Sequence, residues 1–195
     1  EKAWGKRYIE KSALDKNKWA SSADAGISGT FRVSDMISLD AQILNGEGYK
    51  STQSDGLFRT GAGATIDLND KISARVFIDK LPTTDTLVVY PMPDGLTDVV
   101  HTAEQTITSA ALVYTQGDYN IGIEKSIMEN EMNANNEGLK REIVSMYGSM
   151  DVGKFTIFLR RDILSSNIDD MDWEGSNLYW AMDSASELIQ VGDGV

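Results

Sequence analysis

The side chains with most chemical potential in this chain are carboxylates and arginines. The densest acidic run is Ile168-Asp169-Asp170-Met171-Asp172-Trp173-Glu174. Asp169, Asp170, Asp172 and Glu174 are hard oxygen ligands of the kind that hold Ca²⁺. The run lacks the glycine and the bidentate glutamate of an EF-hand loop, so a solvated acidic surface loop is the simpler reading. His101 is the single histidine, and cysteine is absent. Disulfides, thiolate metal sites and cysteine nucleophiles are therefore excluded, and most histidine-based chemistry with them. His101 has no nucleophile spaced near it. No G-x-S-x-G elbow, P-loop or H-E-x-x-H run occurs. The expected sets of catalytic residues, bound metals and cofactors are empty, and the chain reads as a non-enzyme.

The remaining charges recur inside segments that alternate apolar and polar residues, the period of a β-strand with two unlike faces. In residues 23–33, Ala25, Ile27, Gly29, Phe31 and Val33 share one face, and Asp24, Gly26, Ser28, Thr30 and Arg32 share the other. After a turn at Ser34-Asp35-Met36, Ile37, Leu39, Ala41 and Ile43 oppose Ser38, Asp40 and Gln42. In residues 58–68, Phe58, Thr60, Ala62, Ala64, Ile66 and Leu68 alternate with Arg59, Gly61, Gly63, Thr65 and Asp67. Asn69-Asp70-Lys71 turns the chain, and Ile72, Ala74, Val76 and Ile78 then alternate with Ser73, Arg75, Phe77 and Asp79. A third hairpin spans 106–128 through Gln116-Gly117-Asp118, with Tyr119, Ile121 and Ile123 against Asn120, Gly122 and Glu124. A fourth spans 141–163 through Asp151-Val152-Gly153. There Val144, Met146 and Met150 oppose Ser145, Tyr147 and Ser149, and Phe155, Ile157 and Leu159 oppose Thr156, Phe158 and Arg160.

These are eight strands in four hairpins. Connections within a hairpin are short, and those between hairpins, 45–57, 80–105, 129–140 and 164–177, are long. Strict alternation of short and long connections is the pattern of an up-and-down barrel in an outer membrane. Several strands run about ten residues, the length a tilted strand needs to cross hydrocarbon. The long connection containing LVVYPMP, within 82–105, is expected to fold into the lumen or over neighbouring loops. Residues 4–9 read as the end of a preceding strand and 187–195 as the approach to a further one. The chain begins at Glu1 in mid-pattern and reads as a processed or truncated segment.

Composition is compatible with this. With 41% hydrophobic and 25% charged residues the chain resembles a soluble protein. No run approaches the roughly 18 consecutive apolar residues of a spanning helix, but a barrel exposes only alternate residues to lipid and needs no such run. A net charge of −12 argues against nucleic acid and against attachment to anionic lipid by basic residues.

Periodicity by itself does not say which face is inside. A soluble β-sheet protein with amphipathic strands has the same alternation. Two features favour lipid on the apolar face. Phe31, Tyr114, Tyr119 and Phe155 cluster beside the short turns on that face, as an interfacial aromatic girdle does. The face is also rich in Ala, Thr and Gly, which suits a smooth lipid surface better than an interdigitated core. The opposite face would then line a lumen, with Arg32, Arg59, Arg75 and Arg160 as its basic groups. Asp40, Asp67, Asp79 and Glu124, with Asp24, would be its acidic groups. The mixed signs suggest a general pore and not a dedicated anion channel. Each of these charges is read equally well as half of an ion pair bracing the wall. The many small residues on this face suggest a wide, water-filled lumen.

The runs Ala23 to Lys50, ADAGISGTFRVSDMISLDAQILNGEGYK, and Phe58 to Asp79, FRTGAGATIDLNDKISARVFID, resemble the Gram-negative porin family, particularly the group that includes the phosphate-selective porins O and P. Asn45-Gly46-Glu47-Gly48-Tyr49 looks like a strand-to-loop junction of that group. The resemblance implies an all-β fold, an antiparallel up-and-down transmembrane β-barrel. Residues 1–195 would form a single barrel domain, incomplete at one or both ends, in the bacterial outer membrane. It implies outer-membrane lipid and lipopolysaccharide as surroundings, small hydrophilic solutes or ions as cargo moving by passive diffusion, no nucleic acid, and a homotrimer or membrane complex as assembly. The chain departs from the family in length and in lacking a terminal aromatic residue at Val195. Two alternatives remain at this level: a secreted or surface-exposed, adhesin-like binding protein acting through acidic loops, and a non-conducting barrel anchoring a surface complex.

Overall fold

The computed structural model describes residues 11–20, 23–46, 48, 52, 56–82, 104–130 and 139–167, and the backbone of 88–91, 97–100, 175–184 and 187–194. It opens with one helical turn, α1 (Ala13–Lys16), capped by the Ser12 hydroxyl, which accepts the Asp15 N–H at 3.4 Å. The strands follow as β1 (Gly26–Arg32), β2 (Ile37–Leu44), β3 (Arg59–Asp67), β4 (Ile72–Leu81), β5 (Val88–Pro91), β6 (Thr97–Val100), β7 (Gln105–Gln116), β8 (Tyr119–Glu129), β9 (Lys140–Val152), β10 (Phe155–Ser166), β11 (Gly175–Ser184) and β12 (Glu187–Gly194).

Ten of them form one sheet in the order β1-β2-β3-β4-β7-β8-β9-β10-β11-β12, each antiparallel to its neighbour, and β5-β6 form a separate pair. This is an all-β, antiparallel, up-and-down fold. All eight strands expected from alternation are present. The sheet adds β11 and β12, and the long connection after β4 holds the β5-β6 hairpin. The proposed strand end at 4–9, His101 and the acidic run 168–174 lie outside the described residues.

Local chemistry accounts for the tight ends. The Ser34 hydroxyl accepts the N–H groups of Met36 and Ile37, and Asn69 Oδ1 accepts those of Lys71 and Ile72 at 2.9 and 3.0 Å. These side chains satisfy turn donors that the ladder leaves unpaired. The two later hairpins close on two-residue turns, Gly117-Asp118 and Gly153-Lys154, with φ of +54° and +65° at the glycines, where other residues are strained. The fourth turn thus lies later than the sequence suggested, because Asp151 and Val152 still pair with Thr156 and Phe155.

Register brings like faces together. Leu39 pairs with Ala64, Ala64 with Val76, and Val76 with Ala110; Leu112 pairs with Ile123, and Ile123 with Met146. A one-residue slip anywhere would move these side chains to the opposite face. The apolar face is open: Ile27 is 81% exposed, Phe31 69% and Ile121 58%. Phe31, Tyr119 and Phe155 stand exposed on it beside the short turns, as expected, with Tyr114 partly covered. The polar face is covered over much of β3, β4 and β7 to β10 and open along β1. Arg59, Asp79, Ser109, Ser126, Ser145, Arg160 and Asp162 are all buried there.

Part of that cover is Lys11–Ala20. Ala13 and Trp19 pack into a cluster with Ile107, Met128, Ile143 and Leu164, flanked by Leu14 and Ala20. These four strand residues sit near the long-connection ends of β7 to β10, on the parity otherwise held by serines and charges. Each such buried side chain contributes about 1.5–3 kcal/mol of apolar burial. The core therefore lies between the N-terminal segment and half of the polar face.

Candidate functional site: the polar face of the sheet

On β2 to β4 the polar face is organised by two ion pairs. Asp40 on β2 and Arg75 on β4 are two strands apart, and the arginine reaches across β3. Its Nη1 and Nη2 donate to the two Asp40 oxygens at 2.7 and 2.8 Å, and Nη1 also donates to Thr65 Oγ1 at 3.0 Å. A fork of this kind is the strongest form of the contact. Gly63 makes it feasible, because a Cβ there would stand 2.7 Å from Arg75 Nη2 and 3.1 Å from Asp40 Oδ2. The guanidinium also lies 5.4 Å from the centre of the Phe77 ring.

The second pair is deeper. Arg59 Nε donates to Asp79 Oδ1 at 2.5 Å, with both side chains under 10% exposed. Arg59 Nη2 then donates to the Trp19 carbonyl at 3.1 Å, and Gln105 Nε2 donates to the same carbonyl at 3.5 Å. The sheet therefore holds the segment by its backbone as well as by the tryptophan ring.

On β9 and β10 a third pair is sealed. Arg160 Nη2 lies 3.1 Å from Asp162 Oδ2, Ser145 Oγ donates to Asp162 Oδ1 at 2.6 Å, and Arg160 Nη1 donates to the Lys11 carbonyl at 2.5 Å. Arg160 and Asp162 are 1% and 0% exposed. Between the two halves, Glu124 on β8 accepts the Ser126 hydroxyl at 3.1 Å, and Ser126 is 2.8 Å from Ser109 Oγ. Among the described residues Glu124 has no cationic partner.

A cavity of about 340 Å³ opens above β1 to β4 and the adjoining parts of β7 and β8, beside Leu14 and Ala20. Its charged lining is Asp24, Asp40, Asp79 and Glu124 against Arg59 and Arg75.

The expected lining residues thus fall into three groups. Arg75, Asp40 and Glu124 border the cavity, half-buried. Arg59 and Asp79 also line it but are buried, and Arg59 and Arg160 bond the N-terminal segment through the Trp19 and Lys11 carbonyls. Arg32 and Asp67 are exposed at the short-turn end, where Arg32 is level with Ser38 and Asp67 with Ser73. The glycines of this face do not leave open space: Gly61 lies beneath Phe77 and Gln42, Gly63 beneath Arg75, and Gly122 beneath the Tyr147 ring. Small residues here accommodate large neighbours.

Sequence reasoning missed Asp162 and the whole Lys11–Ala20 segment, and it placed Ser145 on the polar face without a role. Signals for the segment were present in Ser12-Ala13-Leu14-Asp15, a helix-start pattern, and in the apolar residues Ile107, Met128, Ile143 and Leu164 on the polar parity.

No family model and no curated protein matches the chain. Among solved structures it is similar to a porin refined at 1.8 Å resolution, with a TM-score of 0.56 and 12% identity over 82% of this chain and 50% of that one. The chain spans half the length of that structure. At this identity the likeness concerns the fold, and the fold is a porin-like, antiparallel up-and-down β-barrel segment.

Proposed function

We propose that the protein is an outer-membrane barrel through which small hydrophilic solutes or ions pass by passive diffusion. The observation that carries this reading is the inside-out distribution of side chains. Large apolar residues are exposed on one face of β1 to β4 and β7 to β10, while Arg59, Asp79, Ser109, Ser126, Ser145, Arg160 and Asp162 are buried on the other. A water-soluble protein seldom leaves so extended an apolar surface open, whereas lipid removes the cost of exposing it.

Strand length and loop order support the same reading. β7 to β10 have 12, 11, 13 and 12 residues. At about 3.4 Å per residue and a tilt near 45°, such strands cross a hydrocarbon layer. In this reading residues 1–195 belong to one barrel domain, incomplete at one or both ends. The barrel sits in the bacterial outer membrane among lipid and lipopolysaccharide, with a non-catalytic role. Membership of the group with the phosphate-selective porins, and assembly as a homotrimer or within a membrane complex, extend the resemblance and are part of the proposal. The four arginines, Arg32, Arg59, Arg75 and Arg160, together with Asp40, Asp67, Asp79 and Glu124, belong to the wall of the passage. Three of the arginines brace that wall through ion pairs.

The test is planar-bilayer recording on the full-length protein extracted in detergent. Stepwise conductance supports the passage. Insertion without conductance instead favours a non-conducting barrel anchoring a surface complex, for which the segment covering the polar face is the motivating observation. A protein that stays soluble without detergent and never inserts overturns the membrane assignment.

A further inference from the structure

We propose that the passage favours cations over anions, and that Glu124 is the residue that sets this preference; the inference rests on the pore reading above. Mixed charge on a wall says little until the pairing of each charge is known. Here three of the four arginines are committed. Both terminal nitrogens of Arg75 are held by the two oxygens of Asp40. Arg59 divides its donors between Asp79 and the Trp19 carbonyl. Arg160 is sealed between Asp162 and the Lys11 carbonyl. A passing anion finds these guanidinium groups already engaged in charge-assisted bonds, which are roughly twice as strong as neutral ones. Arg32 and Asp67, one of each sign, stand at the short-turn rim.

The carboxylates are not all committed in return. Among the described residues the cavity lining holds four of them against two arginines. Asp40 and Asp79 cancel Arg75 and Arg59, which leaves Asp24 and Glu124. Asp24 is tied to backbone donors at the strand end, its two oxygens accepting the N–H groups of Ala25 and Gly46 at 2.8 Å each. Glu124 sits in mid-strand, level with Ala111 on one side and Ser145 on the other, and receives one hydroxyl hydrogen bond. Among the described residues it is the lining carboxylate that is bonded by neither an arginine nor the backbone. Low-dielectric walls focus such a charge into the water beside it, raising local cation concentration and lowering that of anions.

The test is the reversal potential of the full-length protein in a planar bilayer under a KCl gradient, at low ionic strength where screening is weakest. The wild-type protein is expected to pass K⁺ in preference to Cl⁻. Glu124→Gln should lower the permeability ratio by about five-fold or more, since one unit charge about 4 Å from an ion in water is worth about 1 kcal/mol. Glu124→Asp should retain most of the preference. Ala111→Lys, which places an ammonium beside an intact Glu124, should lower the ratio as Glu124→Gln does, so the test does not depend on one variant folding. A conducting wild-type protein that prefers Cl⁻, or neither ion, overturns the inference and leaves the pore reading standing. An unchanged ratio in both Glu124→Gln and Ala111→Lys overturns the assignment to Glu124. A wild-type protein that inserts and stays silent overturns the pore reading, and this inference with it.

Discussion

The sheet has two halves that share one alternating pattern and differ in what lies against it. On β1 to β4 the polar face carries ion pairs and borders an open cavity, and β1 is exposed along its whole length. On β7 to β10 the same parity carries Ile107, Met128, Ile143 and Leu164 near the long-connection ends, packed under Trp19 and Ala13. The first half is held by hydrogen bonds over glycines, with Arg75 spanning two strands. The second is held by a small apolar core and a sealed Arg160–Asp162 pair. A strand's inward face therefore has no fixed character. It is open where nothing covers it and buried where the segment docks.

This contrast can be broken experimentally. The largest effect is expected in the sealed half. Asp162→Ala strands Arg160 without its carboxylate in a buried site, and unfolding in detergent by chemical denaturant should show a loss of about 3–5 kcal/mol. A loss under 1 kcal/mol would mean that water reaches this pair.

Trp19→Ala should cost about 3 kcal/mol through the lost apolar contact and the space it leaves. Its signature is local. Amide exchange should rise at the long-connection ends of β7 to β10 and stay unchanged at the short-turn ends of β1 and β2. Uniform acceleration across the sheet would remove the distinction between the halves.

On the outer surface the halves should behave alike. Val76→Lys, on the exposed apolar face, is expected to destabilise the membrane-inserted protein by about 2–4 kcal/mol. A neutral or stabilising result would mean that the face meets water.

Gly63→Ala tests the open half. The added Cβ intrudes on the Arg75–Asp40 fork, and a loss of about 1–3 kcal/mol is expected from overpacking. The same change at Gly29, where a Cβ meets nothing within 4 Å, serves as the control. The smallest effect is Lys125→Ala, which removes an exposed pair with Glu142 at 2.8 Å and should change stability by less than about 1 kcal/mol.

Much of the fold was legible before any coordinates. The pairing of Phe31 with Leu39 and of Leu112 with Ile123 follows from alternation once the turns at Ser34 and Gly117 are placed. The site was legible by face and not by state. Asp40 and Arg75 were assigned to one surface, but their fork depends on a two-strand reach over Gly63 that no local window contains. Arg59, Asp79 and Arg160 were placed on the correct face, while their burial depends on a segment far away in the chain. β11 was not read in advance, although its flanks were assigned to a loop and to a later strand.

The sequence by itself determined which residues share a face, because a strand turns successive side chains to opposite sides whatever surrounds it. It also determined where the chain reverses, because turn chemistry is local. Only the tertiary structure decided which face is covered and which is open. That depends on contacts between Trp19 and Arg59, 40 residues apart, between Trp19 and Gln105, 86 apart, and between Lys11 and Arg160, 149 apart. Periodicity carries no information about partners at such separations, and these partners determine whether an arginine is exposed or engaged.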